Sequence, residues 1–332
     1  MKRNITTYIC CLILTTVACN NEATTPYHNL YQADLYKPIS DSILADEHNA
    51  ALYTRRAMLL AQQSETNAAL ANYAEAYHIT KQQQEGAQYA TALVQYSRLD
   101  TALTVLTTLR TQYPSNVYLH SLLAEVHAAR KEYTKAIATY RAVLAQDSTV
   151  SNTWLYLSYC YQEVGNDAAA IQALERAYGL QPNITAGYEL AAMYAAKGNP
   201  RTISLCKELA VLSAKAADKD VRSTYFASVY YTTKGNTTLA LQLLDSCIAQ
   251  DYTYGNAYID KATLLLQANN IPGAIQVLTL AQQNDNTNPE AYYYMGKCYQ
   301  AQGRLAAARL EYQKAIALDK EYTLAAEALK GL

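Results

Sequence analysis

The sequence lacks the residue patterns that common enzyme and metal sites require. Its histidines form no H-E-x-x-H pair, no two cysteines form C-x-x-C, and neither G-x-S-x-G nor a phosphate-binding glycine loop occurs. The sequence therefore predicts a protein that is not an enzyme and has no cofactor and no metal site. His120 and His127 are expected to replace core aromatic residues, with a metal-binding pair as the alternative.

An excess of charge of one sign is also absent. The chain has 27 Lys and Arg against 28 Asp and Glu, which gives a formal net charge of −1. Proteins that bind nucleic acid carry a basic patch or stripe, and no such footprint is visible here. Nucleic acid is therefore excluded as a partner, and no basic helix is available for anionic lipid.

Alanine recurs through the chain at a nearly constant interval. Small residues at a fixed spacing of 33 or 34 occur at Ala69, Ala102, Ala136, Ala170, Ala240, Ala274 and Ala308, with one step missing. This period is typical of stacked helical hairpins, because two antiparallel helices approach closely only where their side chains are small. A solenoid of hairpins exposes long surfaces, which favours binding over catalysis.

A longer motif surrounds these alanines. One copy is Trp154-x-x-Leu157-Ser158-x-x-Tyr161 with Ala170 and Pro182, and another is Tyr292-x-x-Met295-Gly296-x-x-Tyr299 with Ala308. The pattern resembles the tetratricopeptide repeat over residues 50–322. The resemblance implies an all-α, right-handed superhelical solenoid of about eight helical hairpins, with N- and C-terminal capping helices.

The predicted organisation has five parts. They are a signal peptide (1–18), a flexible tether (19–29), an N-terminal capping helix (30–49), eight repeats (50–322) and a C-terminal capping helix (323–332). The repeats are expected to start at Ala50, Gln83, Val117, Ser151, Ile184, Val221, Gly255 and Pro289. Turns inside the hairpins are expected at Gly165, Gly198, Gly235 and Gly303.

The N-terminus has the features of an export signal. A positive start at residues 1–3 precedes a short apolar run at residues 9–17, which is too short to span a bilayer. Residues 16–19 resemble a bacterial lipoprotein cleavage site, although Thr16 stands where an aliphatic residue is usual. We expect lipidation of Cys19 and anchoring in the cell envelope, at the outer membrane, as in Bacteroidota-like lipoproteins. Simple secretion and a retained anchor are the alternatives.

The fifth repeat departs from the pattern. Gly187 and Lys207 stand where bulky residues are expected, Ile203 stands at the alanine position, and about three extra residues precede repeat six. One interpretation is a longer second helix that runs toward Ala217. The other is a local change of superhelical pitch that shapes a binding site.

The cysteines of the repeats do not form a disulfide framework. Cys160 and Cys298 lie four repeats apart, too far to pair in a regular solenoid. Cys206 and Cys247 lie on second helices of neighbouring repeats, so a bridge between them stays open. We expect all four to be small buried apolar residues.

The resemblance also implies a concave groove lined by the second, fifth, ninth, twelfth and thirteenth residues of each first helix. The residues expected to bind a partner are Tyr118, Leu155, Tyr159, Gln162, Tyr188, Arg222, Tyr225, Ile259, Tyr293 and Lys297. Tyrosine combines a flat apolar ring with a hydroxyl, which is enriched at binding hot spots. The alternative is compositional, because the chain has 31 tyrosines and one phenylalanine.

These features together predict a membrane-tethered scaffold that binds protein or peptide partners of the bacterial cell envelope in its groove. The chain is similar to tetratricopeptide lipoproteins that assist outer-membrane assembly, secretion, pilus or cell-wall machineries. One alternative is a glycan-binding lipoprotein of a nutrient-uptake system, although such proteins generally carry large insertions between repeats. The weakest alternative is an enzyme or enzyme subunit.

Overall fold

The structure is a computed structural model, and it describes residues 26–215 and 221–332. The predicted signal peptide, Cys19 and residues 19–25 of the predicted tether lie outside the described residues. In the described ranges all regular structure is helical, with nineteen α-helices and no strand. This confirms the all-α prediction.

Sixteen of the helices form eight successive A–B pairs. The A helices are α3 (Ala50–Gln62), α5 (Gln83–Gln95), α7 (Val117–Ala129), α9 (Ser151–Glu163), α11 (Ile184–Ala196), α13 (Arg222–Thr233), α15 (Gly255–Gln267) and α17 (Pro289–Ala301). The B helices are α4 (Thr66–Thr80), α6 (Leu99–Gln112), α8 (Tyr133–Gln146), α10 (Asp167–Leu180), α12 (Arg201–Lys215), α14 (Thr237–Gln250), α16 (Ile271–Asn284) and α18 (Leu305–Leu318). Every A helix except α13 begins at the predicted residue, and α13 begins one residue later. A final helix, α19 (Thr323–Lys330), follows the last pair.

The described residues form two compact units, one up to Glu132 and the other from Tyr133 to Leu332. The boundary lies inside the third pair, between its A and B helices. In unit 1, α3 packs on α4, α4 on α5 and α5 on α6; in unit 2, each B helix likewise packs on the next A helix. Each unit is therefore a stack of hairpins with its own core.

The repeating alanines form the tightest part of these cores. All seven have an exposed fraction of 0 %. The A helices also carry small residues where they face their B helices. On α17, a Cβ added to Gly296 would lie 2.5 Å from Cε1 of Tyr312 on α18. Since real Cβ atoms do not approach so closely, the side chain on the A helix has to be absent there.

Each turn between an A and a B helix contains one residue in the left-handed region. These residues, with φ between 56° and 73°, are Ser64, Ser97, Lys131, Gly165, Gly198, Gly235, Asn269 and Gly303. All eight occupy the fifteenth position of their repeat. The sequence identified only the four glycines, because serine, lysine and asparagine do not signal this conformation.

Three connections between repeats share an Asp-x-Thr turn. In each, the aspartate Oδ1 accepts a hydrogen bond from the threonine backbone N–H at 2.8–2.9 Å and another from its hydroxyl at 2.6 Å. The aspartates are Asp147, Asp251 and Asp285. The hydrogen bonds favour the ionised carboxylate and lower the pKa of each.

The N-terminal cap differs from the single helix predicted for residues 30–49. It consists of two short helices, α1 (His28–Tyr31) and α2 (Lys37–Ala45), and Pro38 lies in the first turn of α2, where its missing N–H costs no helical hydrogen bond. Tyr31 and Tyr36 are both buried and pack against Leu60 in the first hairpin. The chain reverses between the two helices so that both rings reach this core.

A buried arginine joins the cap to the first hairpin. Arg56 on α3 is 2 % exposed, and its guanidinium carbon lies 3.8 Å from the ring centroid of Tyr31. Its Nε donates to Asn72 Oδ1 at 2.8 Å, and its Nη1 donates to Ser40 Oγ at 3.0 Å. Asn72 Nδ2 in turn donates to the hydroxyl of Tyr31 at 2.8 Å. Because buried charge is costly without hydrogen-bond partners, these contacts fix the cap in one position.

The packing of the fifth helix pair explains the irregular sequence of this repeat. On α12 the fully buried residue at the alanine place is Thr202, and not Ile203 as the alignment of repeats predicted. The connection before α12 is one residue longer than in repeat four, and the buried residue is the second of α12 instead of the fourth, so the helix register is shifted. A Cβ on Gly187 would lie 2.3 Å from Leu209 Cδ2, so Leu209 supplies the bulk that Gly187 lacks. The extra residues fall at 216–220, outside the described residues.

We predict opposite effects for two glycine-to-alanine substitutions in one hairpin. A Cβ at either Gly165 or Gly179 would meet no atom within 4 Å, but only Gly165 has a positive φ, of 72°. Gly165→Ala should therefore destabilise the fold by about 1–2 kcal/mol, the conformational cost of the left-handed region. Gly179→Ala, inside α10, should stabilise it by roughly 0.5–1 kcal/mol. Urea unfolding followed by circular dichroism measures both, and equal effects would contradict the assignment.

A pH dependence follows from the Asp-x-Thr turns. The folded-state pKa of Asp251 and Asp285 lies below the usual value of 3.8, so their stabilisation is present above that pH and is lost as pH falls through the folded pKa. The double variant Asp251→Ala/Asp285→Ala should be less stable than wild type at pH 7, and the difference should shrink at pH values below about 3.8. Urea midpoints at both pH values test this.

The matched control is Asp251→Asn/Asp285→Asn, which keeps an acceptor oxygen but has no titrating group. It should lose the pH-dependent part of the difference while retaining more stability than the alanine pair at neutral pH. A wild-type-to-alanine difference that does not change with pH would show that the carboxylate charge is unimportant in these turns.

Candidate functional site

The residues predicted to bind a partner lie on the A helices of both units. We call the surface formed by positions two, five, nine, twelve and thirteen of these helices the groove face of each unit. Tyr118 belongs to unit 1, and the nine other predicted residues belong to unit 2.

The groove face of unit 1 contains an open cavity of about 610 Å³. Its lining includes Met58, Gln84, Thr91, Gln95 and Tyr118, one or more from each of three successive A helices. Tyr118 is 51 % exposed, and its hydroxyl lies 2.8 Å from Thr91 Oγ1. Cavities of roughly 300–1,000 Å³ accommodate small ligands or a few side chains. This one presents an aromatic ring and a thioether among amide and hydroxyl groups.

The structure corrects the prediction for three residues of unit 2. Leu155 is 9 % exposed, Tyr188 is 4 % exposed and Ile259 is 3 % exposed. All three occupy the fifth position of an A helix, where they pack into the core between neighbouring repeats. They lie beneath the groove surface and leave little area for a partner.

Arg222 covers Tyr188. Its guanidinium carbon lies 4.0 Å from the centroid of the Tyr188 ring, a distance that favours a cation–π contact. Arg222 itself is exposed, and it stands at the second position of the next A helix. At this point of the groove face, the guanidinium and not the tyrosine forms the surface.

The other three predicted tyrosines are partly exposed. The hydroxyl of Tyr225 donates to Asp260 Oδ2 at 2.9 Å, and the pKa of Tyr225 is raised, mainly by burial and further by the Asp260 charge. Burial raises the pKa of Tyr159, with a further contribution from Glu189. Tyr293 also has a raised pKa, mainly because of burial. These rings keep their protons at neutral pH and offer both an apolar face and a hydroxyl.

Two polar residues of the prediction have different surroundings. Lys297 is exposed, and its Nζ lies 5.7 Å and 5.9 Å from the ring centroids of Tyr293 and Tyr294. Gln162 Nε2 is buried and has no hydrogen-bond partner among the described residues. Such an atom would gain a bond if an acceptor entered the groove beside it.

Two carboxylates, Asp260 and Glu290, lie beside these tyrosines, and neither is among the residues predicted to bind a partner. Both are partly exposed, and burial raises the pKa of each. The Asp260 charge raises the pKa of Glu290 further. Glu290 occupies a second position, but Asp260 is a sixth residue, outside the groove positions that the family pattern specifies. The hydrogen bond that Asp260 accepts from Tyr225 shows that Asp260 belongs to the site.

The cysteines confirm the expectation of buried apolar residues. Cys160, Cys206, Cys247 and Cys298 are all buried. Burial raises the pKa of Cys160 and of Cys298 to about 11. These two thiols are therefore unreactive at neutral pH.

The two histidines of repeat three lie toward the core as predicted. His120 is 9 % exposed, and burial lowers its pKa. His127 Nδ1 lies 2.8 Å from Glu132 Oε2 in an ion-pair geometry. Over residues 26–215 and 221–332, no three His, Cys, Asp or Glu side chains are grouped so that they could hold a metal ion. In the same ranges, no helix has the length and apolarity needed to cross a bilayer.

Comparison with protein families identifies the repeat. Family models described as tetratricopeptide repeat match residues 89–151, 151–184 and 289–322. No curated protein sequence matches the chain.

Solved structures with the same fold come from distant organisms. A tetratricopeptide repeat protein from Parabacteroides merdae is 14 % identical, with a TM-score of 0.50, over 85 % of this chain and 97 % of that one. The C-terminal part of a repeat protein from Cytophaga hutchinsonii is 16 % identical, with a TM-score of 0.51, over 73 % and 99 %. Yeast Tom70 is 17 % identical, with a TM-score of 0.52, over 85 % of this chain and 59 % of its own.

At these identities the structural similarities bear on the fold alone. They agree with the family matches, which fall on the third, fourth and eighth hairpins and on part of the second. The helix pairs and the left-handed turns repeat in all eight hairpins, and the buried alanine repeats in the same register in seven of them. The chain is therefore built from tetratricopeptide repeats arranged as an all-helical solenoid.

Proposed function

We propose that the protein is a membrane-tethered tetratricopeptide scaffold that binds protein or peptide partners of the cell envelope along its groove face. The observation that carries this proposal is the open cavity of about 610 Å³ in unit 1, with the half-exposed ring of Tyr118 at its wall. A concave surface with aromatic and amide groups suits an extended peptide, which needs both apolar contacts and hydrogen bonds.

The groove face of unit 2 supports the same function. Tyr159, Tyr225 and Tyr293 are partly exposed there, and their hydroxyls are protonated at neutral pH. Rigid aromatic rings contribute contact area with little loss of conformational entropy. At the remaining groove positions uncharged polar residues outnumber charged ones, which matches a partner that makes hydrogen bonds.

The tether is the second part of the proposal. The apolar run at residues 9–17 and the cysteine at position 19 together favour processing as a lipoprotein. More than one acyl chain on Cys19 would hold the protein stably at a membrane. The polar segment 20–25 that follows would separate the anchor from the first capping helix.

Photo-crosslinking tests the groove. Met58 on the groove face and Leu310 on α18 are both 53 % exposed, so they form a matched pair of apolar surface positions. A benzoylphenylalanine at position 58 should yield adducts of defined mass in cells of the native host, and one at position 310 should not. Equal adducts from both positions, or none from position 58, would place binding elsewhere.

We expect Tyr118→Ala to reduce the adducts from position 58 and to weaken partner binding by more than about 1 kcal/mol, roughly fivefold in Kd. Because Tyr118 is half exposed, the circular dichroism spectrum should not change. Tyr188→Ala is unsuitable for this purpose, since removing a buried ring costs about 3–5 kcal/mol and would confuse loss of binding with loss of fold. Unchanged adducts in a folded Tyr118→Ala protein would remove Tyr118 from the site.

Lipid labelling tests the tether. Cys19→Ser should abolish incorporation of an alkyne fatty acid and release the protein from the membrane fraction, because the acyl chains have no other attachment point. Cys11→Ser, a matched change inside the predicted signal, should leave both unchanged. Membrane recovery of unlabelled Cys19→Ser at the wild-type level would argue for a retained anchor instead.

A further inference from the structure

Two tyrosine pairs in the last three repeats each join a groove-face residue, Tyr225 or Tyr293, to the residue just before a later helix, Tyr254 or Tyr322. The rings of Tyr225 and Tyr254 meet edge to face with centroids 5.2 Å apart. Those of Tyr293 and Tyr322 meet in the same way at 5.7 Å. All four side chains are partly exposed. We call these tyrosines, together with Asp260 and Glu290, the acidic tyrosine surface.

The two carboxylates lie close to both ring pairs. Asp260 accepts the hydrogen bond from Tyr225, and its charge acts on Glu290. The Glu290 charge in turn raises the pKa of Tyr225 and of Tyr322, one ring of each pair. Glu290 also lies three residues before Tyr293 on α17, on the same side of the helix, and α15, which carries Asp260, packs on α17. The aromatic faces and the negative charges belong to one surface.

These carboxylates have no cation beside them in the described part of the chain. Neither Asp260 nor Glu290 takes part in any of its ion pairs, whereas the neighbouring Lys261 is paired with Asp245. Two partly buried charges of the same sign disfavour each other and are poorly hydrated. A cation placed between them would remove both penalties at once.

Tyrosine rings also attract cations, and this chain uses that contact elsewhere. Arg222 lies 4.0 Å from the centroid of Tyr188, and Arg304 lies 4.4 Å from that of Tyr299. A guanidinium or ammonium group gains from a ring face and a carboxylate together, since the ring covers the side that the carboxylate leaves open. The acidic tyrosine surface offers both, and Lys297 already makes a long contact of this kind with Tyr293, at 5.7 Å from the ring centroid.

We propose that the acidic tyrosine surface binds an extended peptide through an arginine or lysine side chain, which Asp260 and Glu290 neutralise and a neighbouring tyrosine ring covers. The inference rests on the proposed function, and it specifies the class of partner as basic. The two ring pairs, whose groove-face members Tyr225 and Tyr293 lie two repeats apart, can each cover one side chain of the same segment. This spacing favours a peptide over an isolated cation.

Fluorescence anisotropy tests the inference directly. The probe is a short fluorescein-labelled arginine–serine repeat peptide, and its control is the same peptide with citrulline in place of arginine. Citrulline keeps the shape of the side chain but has no charge. The wild-type protein should bind the arginine peptide at least about tenfold more tightly than the citrulline peptide, and the difference should shrink as salt is added.

The variant Asp260→Asn/Glu290→Gln should bind the arginine peptide at least about tenfold more weakly than wild type. Its thermal midpoint at pH 7 should equal or exceed that of wild type, because ionised carboxylates are disfavoured at both positions and the introduced asparagine amide oxygen can still accept the Tyr225 hydrogen bond. The matched control is Asp167→Asn/Glu208→Gln, which removes two negative charges from the B helices of repeats four and five in the same unit and should bind like wild type. Loss of binding without loss of stability separates recognition from folding.

Equal affinity for the arginine and citrulline peptides, or unchanged binding by Asp260→Asn/Glu290→Gln, would overturn the inference. Spermidine that competes with the peptide at equal concentration of positive charge would also overturn it, because the surface would then recognise a free polyamine. Adducts at position 58 that persist in the double variant would leave the proposed function standing while the inference fails. Absence of adducts at any groove position would remove the proposed function itself.

Discussion

The array depends on one steric constraint, the close approach of the two helices in each hairpin. The repeating alanines of the B helices are completely buried, and at Gly296 not even a methyl group fits against Tyr312. A helix that carries a small residue at one place and large residues around it has one preferred rotation about its axis. That rotation decides which side chains enter the core and which reach the groove face.

Contacts between neighbouring hairpins then determine which of these side chains are exposed on the groove face. Tyr188 and Tyr225 occupy the same position of successive A helices, yet Tyr188 is buried under Arg222 and Tyr225 is partly open beside Asp260. The difference comes from the residue that the following helix contributes. A position in one repeat therefore acquires its surface properties from the next, and the groove has a chemistry that changes along its length.

The repeat period, the helix pairs and the glycine turns could be predicted from sequence because each follows from a local rule. The left-handed conformation of Ser64 and Lys131 could not, since neither residue type favours it and only the repeat register reveals it. Burial of Leu155 and the partly desolvated state of Asp260 depend on contacts between hairpins, which a single-repeat pattern does not contain. The shifted register of α12 could not be predicted for a related reason: its connection differs in length from those of the other repeats, and the buried Thr202 carries no clear signal.

The network around Arg56 gives the array a defined beginning. If residues before Ala50 were removed, the guanidinium would lose Ser40 and the ring of Tyr31, and Asn72 would keep the Ala68 carbonyl but lose the Tyr31 hydroxyl as an acceptor. Exposing a purely apolar end to solvent would cost only hydrophobic free energy. Here the polar groups would in addition lose their hydrogen-bond partners. The smallest autonomous folding unit at this end therefore includes the two short helices, and proteolysis between α2 and α3 would release the cap and open the first hairpin with it.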